Sequence, residues 1–197
     1  MLLNTLTCAR LAGGLALPLV LMSPARAGAD ISVVATAQDA GVQITAHAVV
    51  RAPIELIWQT LTDYDHLAEF VPGITSSRVV SRQGPELVVE QKGSAHLWFF
   101  SYPIEVKVAA AERPYRSIDV HLLQGNLKRL DGSYRIEPKP DGTTELAWNG
   151  LIEPDSPLPG FIRNPMLRRS ISEQFAGMVR EIERRAAPAL AHSAPPR

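Results

Sequence analysis

From Phe161 the chain runs FIRNPMLRRSISEQFAGMVREIERRAA, its longest uninterrupted helical pattern. Ile171, Phe175, Met178 and Ile182 recur at i, i+4, i+7 and i+11, which places them on one face of a 3.6-residue helix. Arg169, Glu173, Arg180, Glu183 and Arg184 fall mostly off that stripe, where water hydrates them. Pro165 suits a first turn and Pro188 is expected to stop the run. Burying the four stripe residues would contribute roughly 6–12 kcal/mol before ordering costs, at about 1.5–3 each. Such a helix requires a large apolar partner, and the rest of the chain has to supply it.

The partner reads as strands. Segments 31–38 and 42–50 flank Asp39-Ala40-Gly41, a turn signal between two β-prone runs. Pro53 opens a short helix with Ile54, Ile57, Trp58 and Leu61 at helical spacing. A second short helix carries Leu67, Phe70 and Val71 and closes at Pro72-Gly73. After that the period is two for some eighty residues. Segment 74–81 is a strand, and 87–91 with 95–101 reads as one long strand interrupted at Gly93. Further strands centre on Val106, Val120, Tyr134 and Trp148, with Asp141-Gly142 as the clearest hairpin turn. Short connections between neighbouring strands predict an antiparallel sheet with one polar face. The fold class is α+β: a curved antiparallel sheet wrapped around a long C-terminal helix, with two short helices after the first strands.

At 197 residues, 46% hydrophobic, the chain is long enough for one domain with a sizeable core. The N-terminus reads as a processing segment over residues 1–27. Arg10 precedes an apolar run over 11–22, and Ala25-Arg26-Ala27 forms an A-x-A cleavage site. Twelve apolar residues span about 18 Å as a helix, short of a bilayer core of roughly 30 Å. The expected mature chain starts at Gly28, works in the periplasm or outside the cell, and comprises a domain over 28–187 with a disordered tail over 188–197. Arg10 and Arg26 are the only charged groups of the first 27 residues, so of 20 basic side chains 18 remain against 20 acidic, a net −2. That balance argues against a nucleic-acid partner. The only cysteine, Cys8, lies in the segment expected to be removed, which leaves no disulfide and no cysteine metal site.

Strand alternation also sorts the chemistry. Glu105, Lys107, Asp119, His121, Arg129, Asp131, Arg135, Glu137 and Glu145 share the exposed parity, while the inner face is Ile, Val, Leu, Tyr134 and Trp148. General acid–base catalysis needs a group of tuned pKa within reach of substrate, and only Tyr134 and His96 are candidates. No G-x-S-x-G, no glycine-rich phosphate loop after a strand and no H-x-x-x-H metal spacing occurs, so no cofactor and no metal is expected. Two features stay open between packing and binding. Ala176-Gly177 beside the apolar stripe either brings the helix close to its neighbour or leaves room for a bound molecule. Trp98-Phe99-Phe100 and Trp148 are either core or the wall of an apolar site.

The stretch VVRAPIELIWQTLTDYDHLAEFVPGITSSRVV, 49–80, resembles the opening of the START-like, polyketide cyclase/dehydrase superfamily. GNLKRLDGSYRIEPKPDGTTELAWNGLIEP, 125–154, with the long helix, is similar to the end of that domain, especially in its coenzyme-Q-binding branch. The resemblance covers about residues 42–187. It implies a helix-grip fold with a deep apolar cavity between sheet and helix, and it favours the cavity reading of Gly177 and of the aromatics. By position, Trp58 matches a packing tryptophan, Phe70, Val71 and Pro72 match the segment near the cavity mouth, and Phe175 and Met178 match the cavity side of the helix. The expected ligand-binding set is Phe70, Trp98, Phe100, Tyr134, Trp148, Met166, Phe175 and Met178, with no catalytic residue carried over.

Three readings follow. The first is a non-enzymatic binder or transporter of a hydrophobic molecule of lipid, quinone or isoprenoid type, with transient membrane contact. The second is a cyclase- or dehydratase-type enzyme on an apolar substrate. The third is an interaction module whose core is filled by its own side chains.

Overall fold

The computed structural model describes residues 29–38, 41–155 and 158–192, with side chains through residue 188. Eight strands pair antiparallel in one sheet in the order β1-β2-β8-β7-β6-β5-β4-β3. They are β1 (Ile31–Gln38), β2 (Gly41–Val50), β3 (Ile74–Gln83), β4 (Glu86–Leu97), β5 (Phe100–Arg113), β6 (Ser117–Gly125), β7 (Leu127–Pro138) and β8 (Thr144–Pro154). Helix α1 (Ile54–Leu61), a 3-10 turn (Tyr64–His66) and α2 (Leu67–Phe70) separate β2 from β3, and α3 (Gly160–His192) follows β8. This is the helix-grip arrangement that the alternation and the terminal stripe imply. Helix α3 packs on β1 and β2 from one edge of the sheet and on β4 near the other, with α1 and α2 also against it.

The core is that of the expected faces. Phe175, Met178, Val179 and Ile182 of α3 are buried against Val42, Ile44, Ala46 and Ala48 of β2 and Leu146 and Ile152 of β8. The small Ala46 and Ala48 let the helix approach the sheet. The outward parity is hydrated and ion-paired: His47 lies 3.3 Å from Glu145, and Arg113 lies 2.6 Å from Asp119.

Three boundaries differ from the sequence reading. First, Gly93 does not interrupt β4, where it pairs with Ile104. A Cβ there would collide with the carbonyl oxygen of Gly73, so the glycine serves a close approach rather than a break. Second, 95–101 is not one strand. Leu97 pairs with Phe100, and the chain reverses through Trp98-Phe99 with Trp98 at φ 53°. An aromatic pair carries none of the Gly, Asn or Asp signals that mark such hairpins, which hides the turn from the sequence. Third, α3 runs past its expected end, and its first turn lies earlier than Pro165. The amides of Ile162 and Arg163 donate to the Pro159 carbonyl at 3.0 and 2.9 Å, so Pro165 falls in the second turn, not the first. Pro188 lies inside the helix, which continues to His192. Buried Ile182 and Ala186 fix the preceding turns, and one lost main-chain bond does not redirect a helix anchored that way. The expected processing segment over 1–27 and the last five residues of the expected tail lie outside the described residues.

Candidate functional site

The sheet curves away from the middle of α3 and leaves a cavity of about 190 Å³. One water needs roughly 10–15 Å³ of such space, so the void is more than ten times that. Its walls are apolar: Val106, Val108 and Ala110 from β5, Ile118 and Val120 from β6, and Leu167, Ile171, Phe175 and Met178 from α3. The alternation that buries these strands' odd or even positions is the same alternation that lines the cavity.

Two aromatic side chains form the β7–β8 wall. Tyr134 and Trp148 are register partners, and their ring centroids are 4.7 Å apart. Trp148 lies over Gly132 and Gly150, where a Cβ on Gly150 would come within 2.7 Å of Trp148 Cζ2. The two glycines are therefore the seat of the indole. Tyr134 is only half-buried by surface area but is deep in the protein, so the surface it exposes is cavity wall. Burial pushes its hydroxyl up to about 12, and it remains protonated at every physiological pH. It makes no hydrogen bond to a described residue. Trp148 Nε1 and the Tyr64 hydroxyl are buried and also lack hydrogen-bond partners among the described residues. Burial drives the Tyr64 hydroxyl upward, and the charge of nearby Glu112 adds to that push.

Uncharged polar groups collect at one end. Gln174 Nε2 donates to Ser170 Oγ at 3.2 Å, and Gln91 Nε2 donates to Ser77 Oγ at 3.3 Å. Beside them the Ser94 amide donates to the Gly73 carbonyl at 2.9 Å, joining the α2–β3 connection to β4. Gln91, Ser94, Ser170 and Gln174 all line the cavity. Sequence reasoning missed them. Extending the Leu87, Val89 parity one step reaches Gln91, and Ser170 and Gln174 are one residue off the apolar stripe of α3. Among the described residues lining the cavity there is no carboxylate and no imidazole. Among the described residues no cluster of three His, Cys, Asp or Glu suits a metal.

Of the eight expected ligand-binding residues, the structure brings Tyr134, Trp148, Phe175 and Met178 together around the cavity. The other four lie elsewhere. Trp98 is at the exposed β4–β5 turn, because the reversal there takes it off the inner face. Phe100 and Met166 belong to a small separate cluster with Ala95, Leu97 and Ile162. Phe70 lies under the Arg185 guanidinium, 5.2 Å from its ring centroid. His96 has outward parity and bonds Ser94 Oγ at 2.6 Å, so it does not face the cavity as an acid or base. Gly177 is a packing residue, not a space for ligand. A Cβ there would come within 2.7 Å of the Phe70 carbonyl oxygen and closer still to Pro72 Cδ.

An ionic clamp holds the far half of α3. Glu181 accepts from Arg184 Nε at 2.6 Å and from Arg185 Nε at 2.7 Å, while Arg185 reaches Asp63 at 2.9 Å. The Arg184 bond, opposed by partial burial and reinforced by Arg185, pulls the Glu181 carboxyl down to about 2. Burial works upward on Asp63, but His66 and Arg185 outweigh it and hold that carboxyl below its ordinary value.

A family model described as polyketide cyclase / dehydrase and lipid transport matches residues 50–179. A search of curated proteins returns no match. Among solved structures, the chain is similar to the Zhui aromatase/cyclase of Streptomyces sp. R1128, at 16% identity over 79% of this chain and 96% of that one, with a TM-score of 0.62. It is also similar to a START superfamily protein from Mycobacterium smegmatis (18%, 75% and 98%, TM-score 0.59). A third is a STAR-related lipid transfer protein from Xanthomonas axonopodis (12%, 77% and 93%, TM-score 0.60). At these identities the likeness bears on the fold.

Proposed function

The chain belongs to the polyketide cyclase / dehydrase and lipid transport family, and from that premise we propose that it carries a hydrophobic small molecule in the cavity between sheet and α3. The observation that supports this most is the wall itself: a void of about 190 Å³ faced by aliphatic and aromatic side chains, with the Tyr134 hydroxyl at its β7–β8 side unpartnered among the described residues. A lipid, isoprenoid or quinone, the last being the ligand of the coenzyme-Q branch, combines an apolar body with a polar head. Burial of the body supplies affinity, and Tyr134 orients the head by donating a hydrogen bond to a carbonyl or ether oxygen. Gln174 and Ser170 offer a second polar contact at the other end. The A-x-A signal after the apolar N-terminal run supports a site of action outside the cytoplasm.

A cyclase- or dehydratase-type activity is the second reading, and the free Tyr134 hydroxyl together with the likeness to an aromatase/cyclase favours it. A hydroxyl pushed up to about 12 stays protonated, so it is available as a hydrogen-bond donor and holds almost no phenolate to act as a base; this chain would polarise a carbonyl rather than abstract a proton.

Native mass spectrometry of the purified protein, followed by organic extraction, tests the proposal. A stoichiometric apolar adduct is expected. An empty protein that also fails to bind a panel of quinones and lipids refutes carriage.

A further inference from the structure

The most exposed large apolar side chains of the described residues gather at one end of the molecule. At the β4–β5 turn Trp98 is 78% exposed and Phe99 86%, and Phe161 at the start of α3 is 77% exposed. The two elements are packed together. Ala95 and Leu97 below the turn form a buried cluster with Ile162 and Met166 of α3, and Phe100 and Leu158 pack against it. Trp98, Phe99 and Phe161 thus project from a rigid apolar base. They are not held back by it: Trp98 occupies a left-handed backbone conformation that a tryptophan rarely adopts. The phenyl rings of Phe99 and Phe100 sit 4.5 Å apart, which fixes the turn as a blunt aromatic wedge.

The charge around this wedge is one-sided. Segments 94–103 and 158–169 contain Arg163, Arg168 and Arg169 and no Asp or Glu, in a chain whose formal charge is otherwise balanced. Among the described residues only Arg169 of these three has a carboxylate partner, Glu173 at 2.8 Å. Phe161, Pro165 and Arg168 recur at i, i+4 and i+7 along the exposed face of α3, opposite buried Ile162 and Met166. We propose that this end, Trp98-Phe99 with Phe161 and the arginines 163 and 168, is a docking site for an anionic lipid surface. Tryptophan and phenylalanine settle in the headgroup boundary, and flanking arginines meet lipid phosphates. The charge of this end weighs against the main competitor. A second copy of this chain would bring arginines against arginines, whereas anionic headgroups neutralise them.

The site goes beyond carriage and does not depend on it, but it adjoins the cavity. Gly93 and Ser94 line the cavity immediately before Ala95, Leu167 does so immediately after Met166, and Ile104 lines it while packing on the small cluster. A ligand leaving through this end would pass directly to the bilayer.

Vesicle co-sedimentation of the purified protein separates the outcomes. With phosphatidylcholine vesicles containing about a third phosphatidylglycerol, binding is expected, reduced by salt and weaker on phosphatidylcholine alone. W98N/F99S should lower the partition coefficient roughly tenfold or more while leaving the circular dichroism spectrum intact, since both side chains are exposed and asparagine tolerates the left-handed backbone. R163Q/R168Q should lose roughly fivefold per arginine on the anionic vesicles only. Vesicle binding that is absent, or unchanged in W98N/F99S, overturns the proposal. A concentration-dependent dimer that W98N/F99S abolishes, without vesicle binding, overturns it in favour of self-association. An empty cavity by mass spectrometry together with intact vesicle binding removes carriage and leaves the docking site standing.

Discussion

Gly177→Ala decides between two physical accounts of the middle of α3. In a helix interior, alanine is about 1 kcal/mol more favourable than glycine. If the glycine faced empty space, that gain would be realised and the cavity would shrink slightly. The structure says otherwise: the new Cβ would meet Pro72 Cδ and lie 2.7 Å from the Phe70 carbonyl oxygen. A relaxed carbon–oxygen contact needs about half an ångström more, and neither a proline ring nor a main-chain carbonyl swings aside as a long side chain does. Overpacking typically costs 1–3 kcal/mol, and two backbone-anchored contacts place this case at or above the upper end. Setting about 3 kcal/mol against the helical gain of about 1 leaves a net loss of about 2 kcal/mol. For a domain of this size that lowers Tm by roughly 4–8 °C. Thermal denaturation followed at 222 nm and urea unfolding at constant m-value measure it. In the double variant with Pro72→Ala the ring is gone, and the combined loss should fall short of the sum by about 1 kcal/mol. A Gly177→Ala protein that melts at or above the parent temperature would refute the close-packing account and reopen the reading of Gly177 as ligand space.

Tyr134→Phe should leave stability within about 0.5 kcal/mol of the parent, because the deleted hydroxyl has no partner among the described residues, while weakening a ligand with a polar head about fivefold in a direct titration. Equal affinity in Tyr134→Phe would remove the anchoring role. Acid unfolding should show the Glu181 clamp. Its carboxyl is held at about 2 in the folded chain against an ordinary 4.5, so its contribution is complete above pH 4.5 and is lost as pH falls toward 2. Because Arg184 is largely solvated, screening reduces this to roughly 1–2 kcal/mol. Asp63, also held below its ordinary value, acts in the same direction. Urea unfolding at pH 6 and pH 3 should show a smaller acid loss in Glu181→Gln than in the parent, and an equal loss would discount the clamp.

The fold was legible because both of its periods are written plainly. A seven-and-four spacing in 171–182 can only be a helix with one apolar face, and eighty residues of strict alternation can only be a sheet with one wet side. Parity put Tyr134 and Trp148 on the inner face and the stripe put Phe175 and Met178 on the helix face toward it, while the expectation of a cavity there came from the family resemblance. What was not legible depended on contacts between distant segments. The reversal at Trp98-Phe99 has no turn residue, so Trp98, expected at the ligand site, lies at an exposed turn, and Phe100 packs in the small cluster rather than on the cavity. Gly93 and Gly177 each lack a side chain for the same reason, the approach of the Phe70–Gly73 connection, and nothing in the local sequence names that neighbour. Gln174 carries no signal of its own, because a single polar residue beside an apolar stripe usually faces water.

An unfilled apolar void is a cost, and its size links the packing to the function. At ~24 cal/mol per Å³, a dry cavity of about 190 Å³ withholds roughly 4–5 kcal/mol from stability, an upper figure because the polar end formed by Gln174 and Ser170 can hold water. The obvious remedy is for α3 to sink onto β5 and β6. It is prevented at three points along its length: the Ile162–Met166 turn is pinned on Ala95 and Leu97, Gly177 is seated on Phe70 and Pro72, and Glu181 with Arg185 is tied to Asp63. The helix is supported like a beam at three points along its length. The sheet cannot close the gap either, since Trp148 over Gly132 and Gly150 occupies the layer that a tighter curl would need. A ligand that fills the space recovers the withheld energy without moving the supports. That recovery is why an apolar molecule of the right size would bind this chain more tightly than its own few polar contacts would suggest.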